Sequence, residues 1–124
     1  MEVHRQLGPG LVDSAYRDCL AREFQLRELV FQRDFPLSFT YKSRLIHAAD
    51  TLDFVVEGTF LVHVLALPAH EISLLHKGRL VTHLKLADIP SGLLVNFNVE
   101  NLRLGIKRAI VSRDGRFTEP AYSA

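Results

Sequence analysis

The most constraining feature of this sequence is the stretch LDFVVEGTFLVHVLAL, residues 52–67. Two apolar runs rich in β-branched and aromatic residues lie on either side of the short segment Glu57–Thr59. This pattern is typical of two β-strands joined by a tight turn. Asp53 lies near the start of the first strand, and His63 and Leu65 lie on the second. The fold must therefore accommodate a hairpin with an acidic residue beside a histidine.

The length of the turn decides which side chains of this hairpin meet. A three-residue loop pairs Val56 with Phe60 and places Asp53 opposite His63. A two-residue loop places Val62 opposite Asp53 and turns His63 to the other face, because side chains alternate along a strand. We expect the three-residue register. In that register the face of His63 also carries Leu61, Leu65 and Leu67.

Length and composition predict a single globular domain over residues 1–124. The chain has 48% hydrophobic and 23% charged residues, enough apolar material for one core. No apolar run approaches the roughly 18–20 residues of a membrane span, and the N-terminus lacks the features of a signal peptide. The single cysteine, Cys19, excludes a disulfide framework. We therefore expect a soluble, cytoplasmic protein with no membrane partner, while a net charge of +1 leaves a nucleic-acid partner open.

Apolar periodicity divides the chain into helices and strands. After Gly8–Gly10, apolar or small residues recur at helical spacing to about Leu29, and a second helical pattern covers about His76–Leu86. Three or four strand-like runs separate the two helices, and GLLVNF and LRLGIKRAIV follow as two more. The order α-βββ(β)-α-ββ predicts an α/β fold in which helices flank a mixed β-sheet.

Several of these segments together resemble a known family. The segments VHRQLGPGLVDSAYRDCLAREFQLREL, LDFVVEG, HLKLADIPSGLLVNF and RLGIKRAIV occur in the order typical of the GxxExxY family, and they cover nearly the whole chain. That family is similar to the PD-(D/E)xK nucleases, so the resemblance implies a restriction-endonuclease-like sheet. In the naming motif, Gly10 and Tyr16 match the glycine and tyrosine, whereas Asp13 replaces the glutamate.

The resemblance also assigns the positions of the nuclease motif. PD-(D/E)xK chemistry uses two strand carboxylates to hold a divalent cation and a lysine two residues after the second carboxylate. Asp53 matches the first carboxylate and is the implied metal ligand, while His63 and Leu65 replace the second carboxylate and the lysine. On the second helix, Arg79 and His83 stand where the family has a QxxxY pattern. We expect Arg79 to pair with Asp53 and to replace the charge of a metal ion.

We therefore interpret the chain as a degenerate nuclease-like domain that is catalytically inactive and acts as a nucleic-acid-binding or interaction module. Its vestigial site comprises Asp13, Asp53, His63, Leu65 and Arg79. Three basic residues near the last strand are the expected contacts to DNA or RNA phosphates if they converge beside the old cleft, namely Arg103, Lys107 and Arg108.

Two other functions remain open from the sequence. One is a residual Mg²⁺-dependent nuclease, whose carboxylates would be Asp13, Asp53 and either Glu57 or Glu71. The other is a homo-oligomeric scaffold built on strand ends and apolar surface. We interpret His63 as a core histidine, and the chain has no HxxxH or HExxH pattern of a transition-metal site. Cys19 faces the helix core as an inert thiol, and GPG is interpreted as the start of a helix.

Overall fold

Three α-helices and six strands make up the described part of the chain. The computed structural model describes residues 1–111, apart from the side chains of residues 48, 49 and 69, and the backbone of residues 117–118. The helices are α1 (Glu2–Leu7), α2 (Asp13–Leu26) and α3 (Leu74–Ala87), with 3-10 turns at Ala69–Glu71 and Leu102–Gly105. The strands are β1 (Phe31–Tyr41), β2 (Arg44–Val56), β3 (Phe60–Leu65), β4 (Ser91–Asn96), β5 (Ile106–Val111) and β6 (Phe117–Thr118). Within these residues no helix is both long and apolar enough to cross a membrane.

All six strands form one sheet in chain order, from β1 to β6. Neighbouring strands are antiparallel except β3 and β4, which are parallel and are connected through α3. A parallel pair needs such a crossover, because the chain must return to the same end of the sheet. The predicted α/β fold with a mixed sheet flanked by helices is confirmed, and the short strand β6 is added to the two expected after α3.

Apolar side chains cover both faces of the sheet. The core on one face, the α2-side core, includes Tyr16, Phe54, Val62, Val64 and Phe97. The core on the other face, the α3-side core, includes Leu52, Val55, Leu61, Leu80 and Leu84. Successive residues of β3 alternate between the two cores, as the two-residue period of a strand requires. The sheet is therefore the middle one of three layers.

Helix α2 packs on the sheet through the residues that its apolar spacing predicts. Tyr16 is 0% exposed, and its ring stacks on Phe97 with the ring centroids 4.6 Å apart. Leu20 and Phe24 lie against the same core. Cys19 is a free thiol, also partly buried there, so its predicted position on the core side of the helix is confirmed.

The N-terminal helix boundary differs from the expected one. An additional helix, α1, precedes the GPG segment, and α2 begins at Asp13 rather than directly after Gly10. Gly8 and Gly10 adopt positive φ angles of 69° and 106°, which turn the chain between the two helices. The Tyr16 hydroxyl fixes this turn, because it donates to the Gly8 carbonyl at 2.6 Å and accepts from the Leu11 N–H at 3.2 Å. GPG is therefore a helix–helix turn and not itself the start of a helix.

Helix α3 begins two residues before the predicted His76. Ser73 caps it through its hydroxyl, which accepts from the Leu75 N–H at 3.2 Å, and the His76 ring accepts from the Ser73 N–H at 3.0 Å. This reciprocal capping box satisfies N–H groups that the first turn leaves free. The helix ends at Ala87, where Asp88 adopts the left-handed conformation. His76 thus has a local structural role at the helix start.

Candidate functional site

The β2–β3 hairpin adopts the expected register. Val56 pairs with Phe60, as a three-residue loop requires, and the chain turns at Glu57 with a φ of 54°. Beyond the paired residues, Asp53 Oδ2 lies 3.7 Å from His63 Nδ1. The two side chains are therefore neighbours across the hairpin, and the three-residue register is confirmed.

The Asp53 carboxylate is bound to the backbone of β3. Its Oδ2 accepts a hydrogen bond from the Val64 N–H at 2.8 Å. Burial acts to raise the pKa of Asp53, but the His63 ring, the Val64 N–H and the charge of Arg17 act in the opposite direction and together outweigh burial. The pKa of Asp53 is therefore lowered, and the carboxylate is ionised at neutral pH.

His63 is buried and forms a hydrogen bond with a second histidine. Its side chain is 3% exposed, and its Nε2 lies 2.9 Å from Nδ1 of His83 on α3. His83 is equally buried, and its Nε2 lies 3.5 Å from Asp50 Oδ2. The four side chains form a line, Asp50–His83–His63–Asp53, which we call the histidine chain. It connects α3 to β2 and β3, so the predicted core position of His63 is confirmed.

The contacts of the histidine chain determine which ring nitrogens form hydrogen bonds and whether His83 is charged. A hydrogen bond between two imidazoles uses one ring proton, because one nitrogen donates and the other accepts. At 3.7 Å from Asp53, His63 Nδ1 forms no hydrogen bond, although it is fully buried. Burial, followed by the charges of His63 and Arg79, lowers the pKa of His83, and Asp50 opposes this only in part. His83 is therefore neutral at pH 7.

The expected ion pair between Asp53 and Arg79 is not formed between these two described residues. Arg79 is exposed on α3, and its charge acts on His83. The physical reason is the rotation of about 100° per helical residue. Leu80 is fully buried against the sheet, so the preceding side chain points away from it. The vestigial site predicted from the sequence thus loses Arg79 as the partner of Asp53.

The arginine that acts on Asp53 comes from α2. The charge of Arg17 helps to lower the pKa of Asp53, and its Nη1 lies 3.2 Å from Asp13 Oδ2. Sequence reasoning missed this residue. A signal was present, because Arg17 follows Asp13 by four residues on a predicted helix, the spacing of a helical ion pair. The residue before it, Tyr16, faces the sheet, which brings this part of α2 towards the hairpin.

The carboxylates of the alternative nuclease site are not brought together. The Asp13 side chain is 51% exposed and pairs with Arg17. Glu57 lies in the hairpin loop, where its Oε1 accepts from the Val30 N–H at 3.0 Å, and Glu71 lies exposed before α3. Among the described residues, no group of three or more His, Cys, Asp or Glu side chains could hold a metal ion. Mg²⁺ takes oxygen ligands in near-octahedral geometry, so these residues do not fit it.

Leu65 occupies the position that the resemblance assigns to the motif lysine. Its side chain is partly buried and packs against the α3-side core, on the same strand face as Leu61. A leucine offers no charge, proton or hydrogen bond to an attacking water. Position 65 therefore contributes to packing on the face where the nuclease motif requires a cation.

The three basic residues near the last strands do not form one cluster. Lys107 pairs with Leu94 of the α3-side core, whereas Arg108 pairs with Leu93, which packs against the α2-side core. Successive side chains of a strand point to opposite faces, so Lys107 and Arg108 do not lie on one surface, and their contact with nucleic acid stays a prediction. Arg103 lies before β5, exposed in the second 3-10 turn.

A family model matches most of the chain. The model is described as PD-(D/E)XK nuclease superfamily, and it matches residues 1–109. The matched part contains the three α-helices, the first four strands and all four members of the histidine chain. No curated protein and no solved structure matches significantly.

Proposed function

Because the chain belongs to the PD-(D/E)XK nuclease superfamily, we propose that it is a nuclease-like domain that has lost hydrolysis and binds nucleic acid. We include the GxxExxY resemblance in this proposal. Gly10 and Tyr16 match that motif, and Tyr16 closes the turn between α1 and α2 through Gly8. The chain thus keeps the glycine and the tyrosine of the motif, and Asp13 stands in the place of its glutamate.

The observation that carries the loss of hydrolysis is the 2.9 Å contact between His63 Nε2 and His83 Nδ1. The resemblance assigns position 63 to a metal-binding carboxylate. Here the position holds a buried imidazole that is bonded to α3 and is not directed to solvent. Leu65 supplies no replacement for the lysine, and Asp53 Oδ2 is already bonded to the Val64 N–H. At the position of the second motif carboxylate, two-carboxylate metal chemistry therefore finds an imidazole in place of an oxygen ligand.

Binding of nucleic acid does not require the lost residues. The sheet and helices pack through apolar residues on both faces, and Leu65 packs with them at the position of the motif lysine. Phosphate contacts need cationic side chains on an exposed surface, and they contribute affinity without chemistry. Arg103 and Arg108 are such side chains, since both are exposed and, in the part of the chain that the structure describes, neither forms a salt bridge.

Hydrolysis is tested on plasmid and single-stranded DNA and on RNA, with Mg²⁺ or Mn²⁺. The wild type should show no cleavage above background. A variant carrying His63→Glu and Leu65→Lys restores the motif residues, and His83→Gln is added because the introduced carboxylate would otherwise face a buried imidazole. Cleavage that appears in this triple variant and disappears when Asp53→Ala is added would support the lost-site interpretation.

Cleavage by the wild type that Asp53→Ala abolishes would refute the loss of hydrolysis. Binding is tested separately, by fluorescence anisotropy with labelled DNA and RNA oligonucleotides over a range of salt concentrations. We expect binding that weakens linearly on a log–log plot as salt is added. The absence of any binding at low salt would refute the second half of the proposal.

A further inference from the structure

Strands β1 and β2 continue beyond their pairing with the rest of the sheet as a two-stranded arm. Strand β3 pairs with β2 only at residues 54–56, whereas β1 and β2 remain paired as far as Tyr41 and Arg44. We call residues 38–47 the ribbon. In the described part of the chain no third strand pairs with it, and its residues are exposed except Phe39 and Ile46, which lie opposite each other and are partly buried. The ribbon therefore projects into solvent and belongs to neither core.

The ribbon is the cationic part of a nearly neutral chain. Residues 35–49 contain Lys42 and Arg44 and no aspartate or glutamate. The whole chain has 15 lysines and arginines against 14 acidic residues, so the remainder outside this segment has a net charge of −1. Among the described residues, neither Lys42 nor Arg44 forms a salt bridge. Their charge is therefore concentrated on one projecting element, where an anionic partner can reach it.

The turn at the tip of the ribbon holds a lysine that turn chemistry does not favour. Lys42 and Ser43 have positive φ angles of 46° and 69°, and a type I′ turn requires positive φ at both central residues. Asparagine, aspartate and glycine are the usual residues there, because most side chains disfavour that conformation. The Lys42 ammonium lies 5.4 Å from the centre of the Tyr41 ring, which is 60% exposed. The tip thus presents a cation beside an aromatic ring, a combination that can contact a phosphate and a neighbouring sugar or base.

We propose that the ribbon enters the major groove of duplex DNA, where Lys42 and Arg44 contact phosphates. This inference rests on the proposed function and assigns DNA binding to one element of the fold. The major groove of B-DNA is about 12 Å wide and about 8.5 Å deep, and it admits a two-stranded ribbon. At about 3.4 Å per residue, the three steps from Ser38 to Tyr41 span about 10 Å, enough to cross the depth of the groove. The deep, narrow major groove of duplex RNA does not admit such an element.

Two variants remove the cations of the ribbon and preserve its backbone. Lys42→Asn introduces a residue that tolerates the positive φ, so lost binding could not be ascribed to a misfolded turn. Arg44→Gln keeps a long polar side chain at an exposed position. Arg22→Gln is the matched control, because Arg22 is exposed on α2 and forms no salt bridge with the residues that the structure describes. Each of the three variants removes one positive charge.

The experiment measures the anisotropy of a labelled DNA duplex with the wild type and these variants over about 50–200 mM salt. Lys42→Asn and Arg44→Gln should each reduce the slope of log K against log salt by about 0.9, the loss of one phosphate contact. Arg22→Gln should leave the slope unchanged. A wild type that binds while both ribbon variants keep its slope, or an equal loss with Arg22→Gln, would overturn the inference and leave the proposed function standing. A wild type that binds no nucleic acid would refute both.

Two further measurements separate the major groove from other uses of the ribbon. Duplex RNA of the same length should bind more weakly than DNA, and the ribbon variants should not change its slope. A loss as large as with DNA would overturn the assignment to the major groove. Exposed apolar side chains such as Leu45 make a second copy of the chain the competing partner. The mass of the free protein in sedimentation should be the same for the wild type and Leu45→Ser, and a fall in mass with this variant would assign the ribbon to self-association instead.

Discussion

Replacing the two buried histidines singly and together tests how the site is held. His63 and His83 are 3% and 2% exposed, and the bond between them is 2.9 Å long. In His63→Leu, the Nδ1 of His83 loses its partner in the core, and in His83→Leu the Nε2 of His63 loses its partner in the same way. Leaving a buried polar group unsatisfied costs about 1–3 kcal/mol of stability. Replacing both partners by apolar groups leaves no unsatisfied group, so that cost is nearly absent. The two single variants together leave two unsatisfied groups and the double variant leaves none, so the double variant should lose less stability than their sum, by about 2–6 kcal/mol.

Urea unfolding of the four proteins at pH 7 measures this coupling. Each free energy of unfolding is extrapolated to water, and the wild type, both single variants and the double variant form one thermodynamic cycle. His47→Leu serves as a control, because this exposed histidine lies on β2 outside the histidine chain. Additivity within about 0.5 kcal/mol, which is usual for residues that do not interact, would refute the hydrogen bond as the link between α3 and the sheet.

Two further predictions concern α2 and pH. Tyr16→Ala should lower the free energy of unfolding by about 3–5 kcal/mol, because the ring is fully buried. Tyr16→Phe should lower it by only about 1–2 kcal/mol, through the bonds to Gly8 and Leu11, and equal losses in the two variants would contradict this division. The pKa of His83 is lowered in the fold, so the unfolded chain binds more protons at this ring than the folded protein does. The stability that this difference contributes is present above about pH 6.5, the unfolded value, and is lost as pH falls through the lowered pKa. His83→Gln should remove that loss in urea unfolding measured as a function of pH, and an unchanged pH profile would contradict the assignment.

The hairpin register could be predicted from the sequence because it depends on local chemistry. The loop between Val56 and Phe60 and the two-residue period of the strands together place Asp53 beside His63, and both rules act over short distances. The buried face of α2 followed from helical spacing for the same reason. The separation of Lys107 and Arg108 on opposite faces of β5 follows from the same strand period.

The partners of the site residues could not be predicted in the same way. His63 meets His83 because α3 crosses from β3 to β4 and lies against the sheet, and no local pattern contains that contact. The predicted ion pair between Arg79 and Asp53 was wrong because Arg79 was selected by its place in the family's sequence pattern. The burial of Leu80 instead fixes how α3 is rotated about its axis. Contacts of this kind join residues that are distant in sequence and depend on how the layers pack, so local sequence patterns do not predict them.

The histidine on the hairpin and the histidine on α3 each satisfy a buried nitrogen of the other. Without His83, both ring nitrogens of His63 would be unsatisfied in a side chain that is 3% exposed, because Nδ1 already forms no hydrogen bond. His83 supplies the partner, and Asp50 and Asp53 lie at the two ends of the resulting chain. A carboxylate at position 63 would instead bring a second negative charge beside Asp53, which is tolerable only where a cation neutralises both. Under the proposed function, the histidine pair removes the need for a cation at this hairpin and connects α3 to the sheet by the same contact.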